Sequence, residues 1–122
     1  ITEIFKYGGE ECFRDLETDI LQKLQTKRNL VIATGGGMVL RNENRSLMQS
    51  LGTRVYLKVE LQELMRRLKK DKKRPLLQKS KPEVHILEML QQRKSIYEEA
   101  ECIIDTTDLS PHQMVTEIIR KI

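Results

Sequence analysis

The sequence predicts an α/β fold with parallel strands, and three observations carry that prediction. Short apolar runs of strand length alternate with longer segments whose apolar residues fall at helical spacing, the pattern of helices crossing between parallel strands. The run Leu30-Val31-Ile32-Ala33-Thr34 stops at Gly35-Gly36-Gly37, as a buried strand ending at a tight turn does. Near the other end, Ser110-Pro111-His112-Gln113 has the make-up of a helix start: Ser as N-cap, Pro at the first helical position and Gln to complete a capping box.

Taken in order, Ile1 to Tyr7 is a short lead-in that Gly8-Gly9 breaks. From Glu10 the residues Phe13, Leu16, Ile20, Leu21 and Leu24 give a helix one apolar stripe. The first strand is expected over Asn29–Thr34. A second helix follows over Asn42–Leu51, ending at Gly52. Arg54–Val59 reads as the second strand. Leu61, Leu64, Met65 and Leu68 place a third helix over Leu61–Lys70. Residues 71–82 are rich in Lys and Arg, contain Pro75 and Pro82, and read as a solvated loop of the kind that forms mobile lids. A fourth helix is expected over Glu83–Glu99 with Ile86, Leu87, Leu90, Ile96 and Tyr97 toward a core, and Arg93 one turn before Tyr97. Cys102–Thr106 is the third strand.

The 122 residues suffice for one small domain, and 33% charged with 39% hydrophobic residues is ordinary for a globular chain. No apolar run approaches the roughly 18 residues of a membrane span, and nothing at the start resembles a signal peptide. A chain opening on Ile1 rather than Met is expected of a fragment or a processed product. The net charge of +4 favours anionic partners. Aromatic residues are only 4%, which argues against a stacking platform for single-stranded nucleic acid. Cys12 and Cys102 match no metal spacing and read as small core residues in a reducing compartment. His85 and His112 read as surface residues rather than ligands.

Ligands in open α/β sheets gather at the carboxyl ends of strands, so the glycine run marks the expected site. Glycine there permits positive φ and close approach of a ligand to the main chain. Taken alone, the run is equally a flexible strand-to-helix connection. Arg14 and Glu17 share a helix face, and their pattern by itself is that of a solvated ion pair worth roughly a few tenths of a kcal/mol.

Together these stretches resemble shikimate kinase, which phosphorylates the 3-hydroxyl of shikimate with ATP and Mg2+. Four blocks carry the resemblance in order: Gly9-Glu10-Glu11-Cys12-Phe13-Arg14 with Glu17, Ala33-Thr34-Gly35-Gly36-Gly37, Arg74-Pro75-Leu76-Leu77, and Arg93 followed by Tyr97 and Ala100. The likeness spans essentially the whole chain. It implies a three-layer P-loop NTPase fold, nucleoside-monophosphate-kinase-like, with one domain over 1–122 and a lid over 71–82.

The resemblance also implies roles. Planar guanidinium groups bind carboxylates bidentately, and Arg14 and Arg93 would grip the shikimate carboxylate. Gly35, Gly36 and Gly37 would offer backbone N–H groups, and Glu17 would orient Arg14 and accept from a substrate hydroxyl. Thr34 would reach the magnesium shell through water. Arg74 would swing onto the transferred phosphoryl group, neutralising charge while the lid excludes water. Arg67 would pack against adenine, with Ser110 and Pro111 on its other side. Leu109 stands where relatives commonly carry a further arginine.

The family's first strand, its G-x-x-x-x-G-K-[ST] loop and its Asp-x-Asp strand, whose second Asp is the presumed base, are expected before Ile1; none of the three is in this sequence. In the family sheet order 2-3-1-4-5, strands 1 and 2 are then missing: an N-terminal segment or a second copy supplies them, or strands 3 and 4 close up directly, and this chain alone is expected to be inactive. The leading expectation is therefore the shikimate pocket and lid of a shikimate kinase, located in the cytoplasm or, in a plant, a plastid. A non-catalytic relative binding a small carboxylate or a partner is the alternative. A nucleic-acid module resting on Lys69–Arg74, and another small-molecule kinase of the same fold, are further readings. The pairing of Phe13-Arg14 with the triple glycine and Arg93 favours shikimate, with no nucleic-acid or membrane partner.

Overall fold

The computed structural model of the chain describes residues 2–68 and 82–122. Within them run α1 (Thr2–Leu24), a 3-10 helix (Gly36–Leu40), α2 (Asn42–Leu51), β1 (Val55–Lys58), α3 (Leu61–Leu68), α4 (Pro82–Tyr97), β2 (Cys102–Asp105) and α5 (Pro111–Lys121). The contacts gather these into two compact units, Ile1–Gly52 and Thr53–Ile122.

In the first unit α1 bends at Gly9, whose φ of 70° and ψ of −174° suit glycine alone. The break expected at Gly8-Gly9 is present, and residues 2–8 are helical ahead of it. Beyond the bend, the buried face is Arg14, Glu17, Thr18 and Leu21, at 8%, 5%, 6% and 1% exposure. These positions follow the i, i+3, i+4, i+7 spacing of one helix face. The expected apolar stripe is therefore wrong by about one position: Leu21 belongs to the buried face, whereas Leu16 and Ile20 are exposed. The packing partner decides which face is covered, and here the 3-10 helix and α2 meet α1 through polar groups. Cys12 lies off that face and is exposed, contrary to expectation, whereas Cys102 is buried as expected.

The expected first strand, Asn29–Thr34, does not form. Asn29 sits at φ 59°, in the left-handed region that Asn tolerates and a strand does not. Residues 30–35 carry no regular structure, with Leu30, Val31 and Ile32 exposed. A strand is held by ladder hydrogen bonds, and among the described residues this segment has no strand beside it. The second helix runs from Asn42 to Leu51 as expected, and Gly52 N–H closes it on the Met48 carbonyl at 3.2 Å.

In the second unit β1 and β2 pair in parallel, with Val55 opposite Cys102 and Lys58 opposite Asp105. Thr106 N–H continues the ladder to the Lys58 carbonyl at 2.8 Å. Cys102, Ile104 and Thr106 point inward at the period of two that a strand imposes. At the ladder's start, Arg54 clamps Glu101 through Nε–Oε2 at 2.9 Å and Nη2–Oε2 at 2.5 Å. The expected third helix is present to Leu68, and its last two positions lie outside the described residues. So do residues 71–81 of the expected lid, whereas Pro82 opens α4 and belongs to a helix. On α4, Ile86 is buried but Leu87 is exposed. His85, beside Ile86, is half-buried rather than a surface residue, with Nε2 enclosed. The capping box of α5 is formed: Gln113 N–H donates to Ser110 Oγ at 3.2 Å, and Ser110 N–H to Gln113 Oε1 at 2.8 Å. Among the described residues no helix is long and apolar enough to cross a membrane.

Candidate functional site

Arg14 is the least ordinary residue of the buried face. Its Nη1 donates to Glu17 Oε1 at 2.7 Å, and its Nη2 to Glu10 Oε1 at 3.2 Å. Arg14 and Glu17 are both buried, so the pair is not the solvated one that its spacing alone suggests. Removing two charges from water costs several kcal/mol apiece, and proteins keep such pairs where geometry repays them. Arg14 Nε is enclosed with no acceptor among the described residues. A guanidinium has five N–H donors, and a buried orphan among them is a spare valence for an anion or an ordered water.

The glycine run lies against this pair. A Cβ built on Gly37 would fall 2.5 Å from Arg14 Cζ and Nη1, far inside contact distance. One built on Gly35 would lie 3.6 Å from Glu17 Oε2, an ordinary contact. The structure thus gives the glycines a different reason from the one expected. Among the described glycines only Gly9 lies in the positive-φ region that favours glycine, and Gly35 is extended at φ −70° and ψ 154°. Position 37 needs glycine because the guanidinium occupies the place of a side chain. The structure brings Arg14, Glu17, Gly35 and Gly37 together. Gly36 opens the 3-10 helix between them, and Thr34 is exposed just ahead of the run.

The other expected site residues lie in the second unit. Arg93, half-buried on α4, donates to Tyr97 Oη at 3.4 Å, as their one-turn spacing suggests. The Tyr97 ring lies 5.2 Å from that of Tyr56 on β1. Arg67 Nε bonds Glu63 Oε1 at 2.9 Å. Arg66 and then Arg67 hold the Glu63 carboxyl well below the usual range, at about 2. Ser110 and Pro111 are exposed at the start of α5. Arg74 lies outside the described residues. Among the described residues no group of three His, Cys, Asp or Glu is placed to hold a metal ion.

Sequence reading missed Thr18, Arg41 and Asn44. Asn44 is 0% exposed and joins Thr18 to the Met38 carbonyl. Arg41 reaches Thr18 Oγ1 at 3.2 Å and Asp15 Oδ1 at 2.8 Å, and its pKa is raised, chiefly by the Asp15 hydrogen bond. Thr18 stands one turn from Arg14 on the same face, which is the signal that was available.

The family model described as Shikimate kinase matches residues 1–122. The chain is 41% identical over 121 residues to the shikimate kinase of Thermodesulfovibrio yellowstonii, covering 99% of this chain and 70% of that protein. It is 39% identical over 123 residues to that of Nitrosospira multiformis, covering 100% of this chain and 63% of that protein. Among solved structures it is similar to shikimate kinase from Acinetobacter baumannii in complex with shikimate, with TM-score 0.90 and 35% identity over 96% of this chain and 66% of that one. The enzyme from Aquifex aeolicus gives TM-score 0.81 and 34% identity over 98% and 70%. The chain spans about two thirds of the length of these relatives.

Proposed function

Because the chain belongs to the shikimate kinase family, we propose that it binds shikimate through Arg14 and takes part in phosphoryl transfer from ATP to the 3-hydroxyl. Its fold is the P-loop NTPase fold of its solved relatives. In that fold's 2-3-1-4-5 order, the parallel neighbours β1 and β2 correspond to strands 4 and 5.

The observation that carries the reading is the buried guanidinium of Arg14, held by Glu17 and laid on Gly37. Such a group matches a carboxylate, and a relative of 35% identity is known in complex with shikimate. Glu17 holds the guanidinium in place and offers its second oxygen beside Gly35 for a substrate hydroxyl. Arg93 supplies the second cation for the carboxylate. Gly35, Gly36 and Gly37 present the main chain to the substrate.

Transfer forms a bond between phosphorus and the 3-hydroxyl oxygen and breaks the bond to the leaving oxygen of ADP, while the hydroxyl proton passes to a base. Arg74 neutralises the equatorial oxygens. Arg67 and the Ser110-Pro111 turn flank adenine. Thr34 would hold magnesium only through a bridging water, and the ion would supply neutralising charge at the phosphates. The 122 residues hold no G-x-x-x-x-G-K-[ST] run, so the proposed transfer needs a phosphate cradle and a base that these residues do not contain. Without that cradle these residues by themselves do not turn over.

A coupled ADP-release assay with the full-length protein tests this reading: shikimate-dependent release of ADP is expected. Shikimate binding with no ATP binding and no turnover would favour the alternative, a non-catalytic carboxylate-binding relative, which the missing phosphate loop motivates.

A further inference from the structure

The polar atoms between α1, the 3-10 helix and α2 form a chain with only one consistent direction. The Met38 carbonyl can only accept, so the Asn44 amide nitrogen faces it, at 2.9 Å. Asn44 Oδ1 then faces Thr18 Oγ1 at 2.7 Å and accepts its proton, which the Arg14 carbonyl also faces at 3.1 Å. The Thr18 oxygen in turn accepts from Arg41 Nη1 at 3.2 Å. Asn44 and Thr18 are both buried, and both ends of the Asn44 amide are satisfied. The next residue, Arg45, donates through Nη1 to the Val39 carbonyl at 2.6 Å. The start of α2 therefore holds two consecutive carbonyls of the 3-10 helix, the first of them immediately after Gly37.

We propose that Asn44 and Thr18 are positioning residues for the substrate: they hold the Gly36-Gly37 backbone against the Arg14 guanidinium and so set shikimate affinity without touching it. Thr18 is anchored one helical turn from Arg14, so the network ties the guanidinium and the glycine backbone to one frame. A shift of the 3-10 helix toward Arg14 is resisted at Gly37, where a built Cβ would already fall 2.5 Å from the guanidinium carbon. A shift away opens the surface on which the carboxylate would rest. The proposal rests on the reading that Arg14 binds the substrate carboxylate.

The test uses the full-length protein and three single variants, Thr18→Val, Thr18→Ser and Arg14→Ala. Valine keeps the shape of threonine and removes the hydroxyl, whereas serine keeps the hydroxyl. Calorimetric titration with shikimate is paired with KM for ATP, circular dichroism and thermal melting. Thr18→Val is expected to fold and to weaken shikimate about tenfold, with KM for ATP changed less than about twofold. Thr18→Ser is expected to restore shikimate affinity to within about twofold of the parent. A folded Thr18→Val protein with parental shikimate affinity overturns the proposal. So does one that weakens ATP and shikimate equally, or one that fails to fold, since the network would then serve the fold alone. Arg14→Ala separates the two layers of the argument. If it leaves shikimate binding unchanged, the carboxylate assignment fails; if it weakens binding while Thr18→Val does not, only the positioning role fails.

Discussion

Arg14 and Gly37 share one volume: the guanidinium fills the space that a side chain at position 37 would need. The contact links helix α1 to the glycine run by exclusion rather than by a bond. It predicts that Gly37→Ala acts on the site more than on the fold. The atoms struck belong to the far end of a flexible side chain, which can rotate away at the expense of its 2.7 Å bond to Glu17. Stability is expected to fall by about 1 kcal/mol. Shikimate affinity should fall by about 2 kcal/mol or more, because the displaced guanidinium no longer meets the carboxylate. Thermal melting and shikimate titration of the same variant check the split.

How much of this was legible in the sequence differs from element to element, for physical reasons. Helix α2 and its stop at Gly52, the capping box at Ser110, and the Arg93–Tyr97 contact are local, and local rules found them. The strands at Val55–Lys58 and Cys102–Asp105 were legible because each supplies the other's ladder. The run at Asn29–Thr34 has the same composition, but composition does not provide a neighbour, and the left-handed Asn29 breaks its start. The buried face of α1 was misread because apolar periodicity assumes that burial follows hydrophobicity. There Gly37 and Asn44 cover the helix, and the residues they bury are Arg14, Glu17 and Thr18. The ion pair and the glycine run were each ambiguous alone, and only their contact identifies the site.

Glu10 competes for Arg14. Its carboxylate reaches Nη2 at 3.2 Å while half its side chain is exposed. A substrate carboxylate on the same guanidinium meets that charge. Glu10→Gln is therefore expected to tighten shikimate by roughly 0.5 kcal/mol at low salt, with the gain shrinking as salt screens the repulsion. Titration of the variant and parent at two salt concentrations measures both effects.

Glu63 supplies a pH prediction. Its carboxyl is held at about 2 in the folded chain, chiefly by the Arg66 hydrogen bond and next by Arg67. The unfolded value is about 4.3. A depressed folded pKa adds stability that is complete above the unfolded value and is lost as pH falls through the folded one. The window is thus from about 4.3 down to about 2, and its amplitude is small because the pair is solvated. A carbon-detected NMR titration should place the Glu63 midpoint near 2 in the parent. Arg66→Ala should raise that midpoint more than Arg67→Ala. The reverse order would contradict the assignment of the main partner.

The cap of α5 separates stability from binding. Ser110→Ala removes the acceptor for Gln113 N–H and is expected to cost about 1 kcal/mol of stability. Shikimate affinity should be unchanged, which a melt and a titration on one preparation would establish.

The central claim is that Arg14, with Arg93, binds the carboxylate of shikimate. Calorimetric titration of shikimate into the full-length protein and its Arg14→Ala and Arg93→Ala variants tests it most directly. Each substitution is expected to weaken binding by about 1.5–3 kcal/mol, the worth of a charge-assisted hydrogen bond, in a protein that remains folded. Parental affinity in both folded variants would contradict the claim.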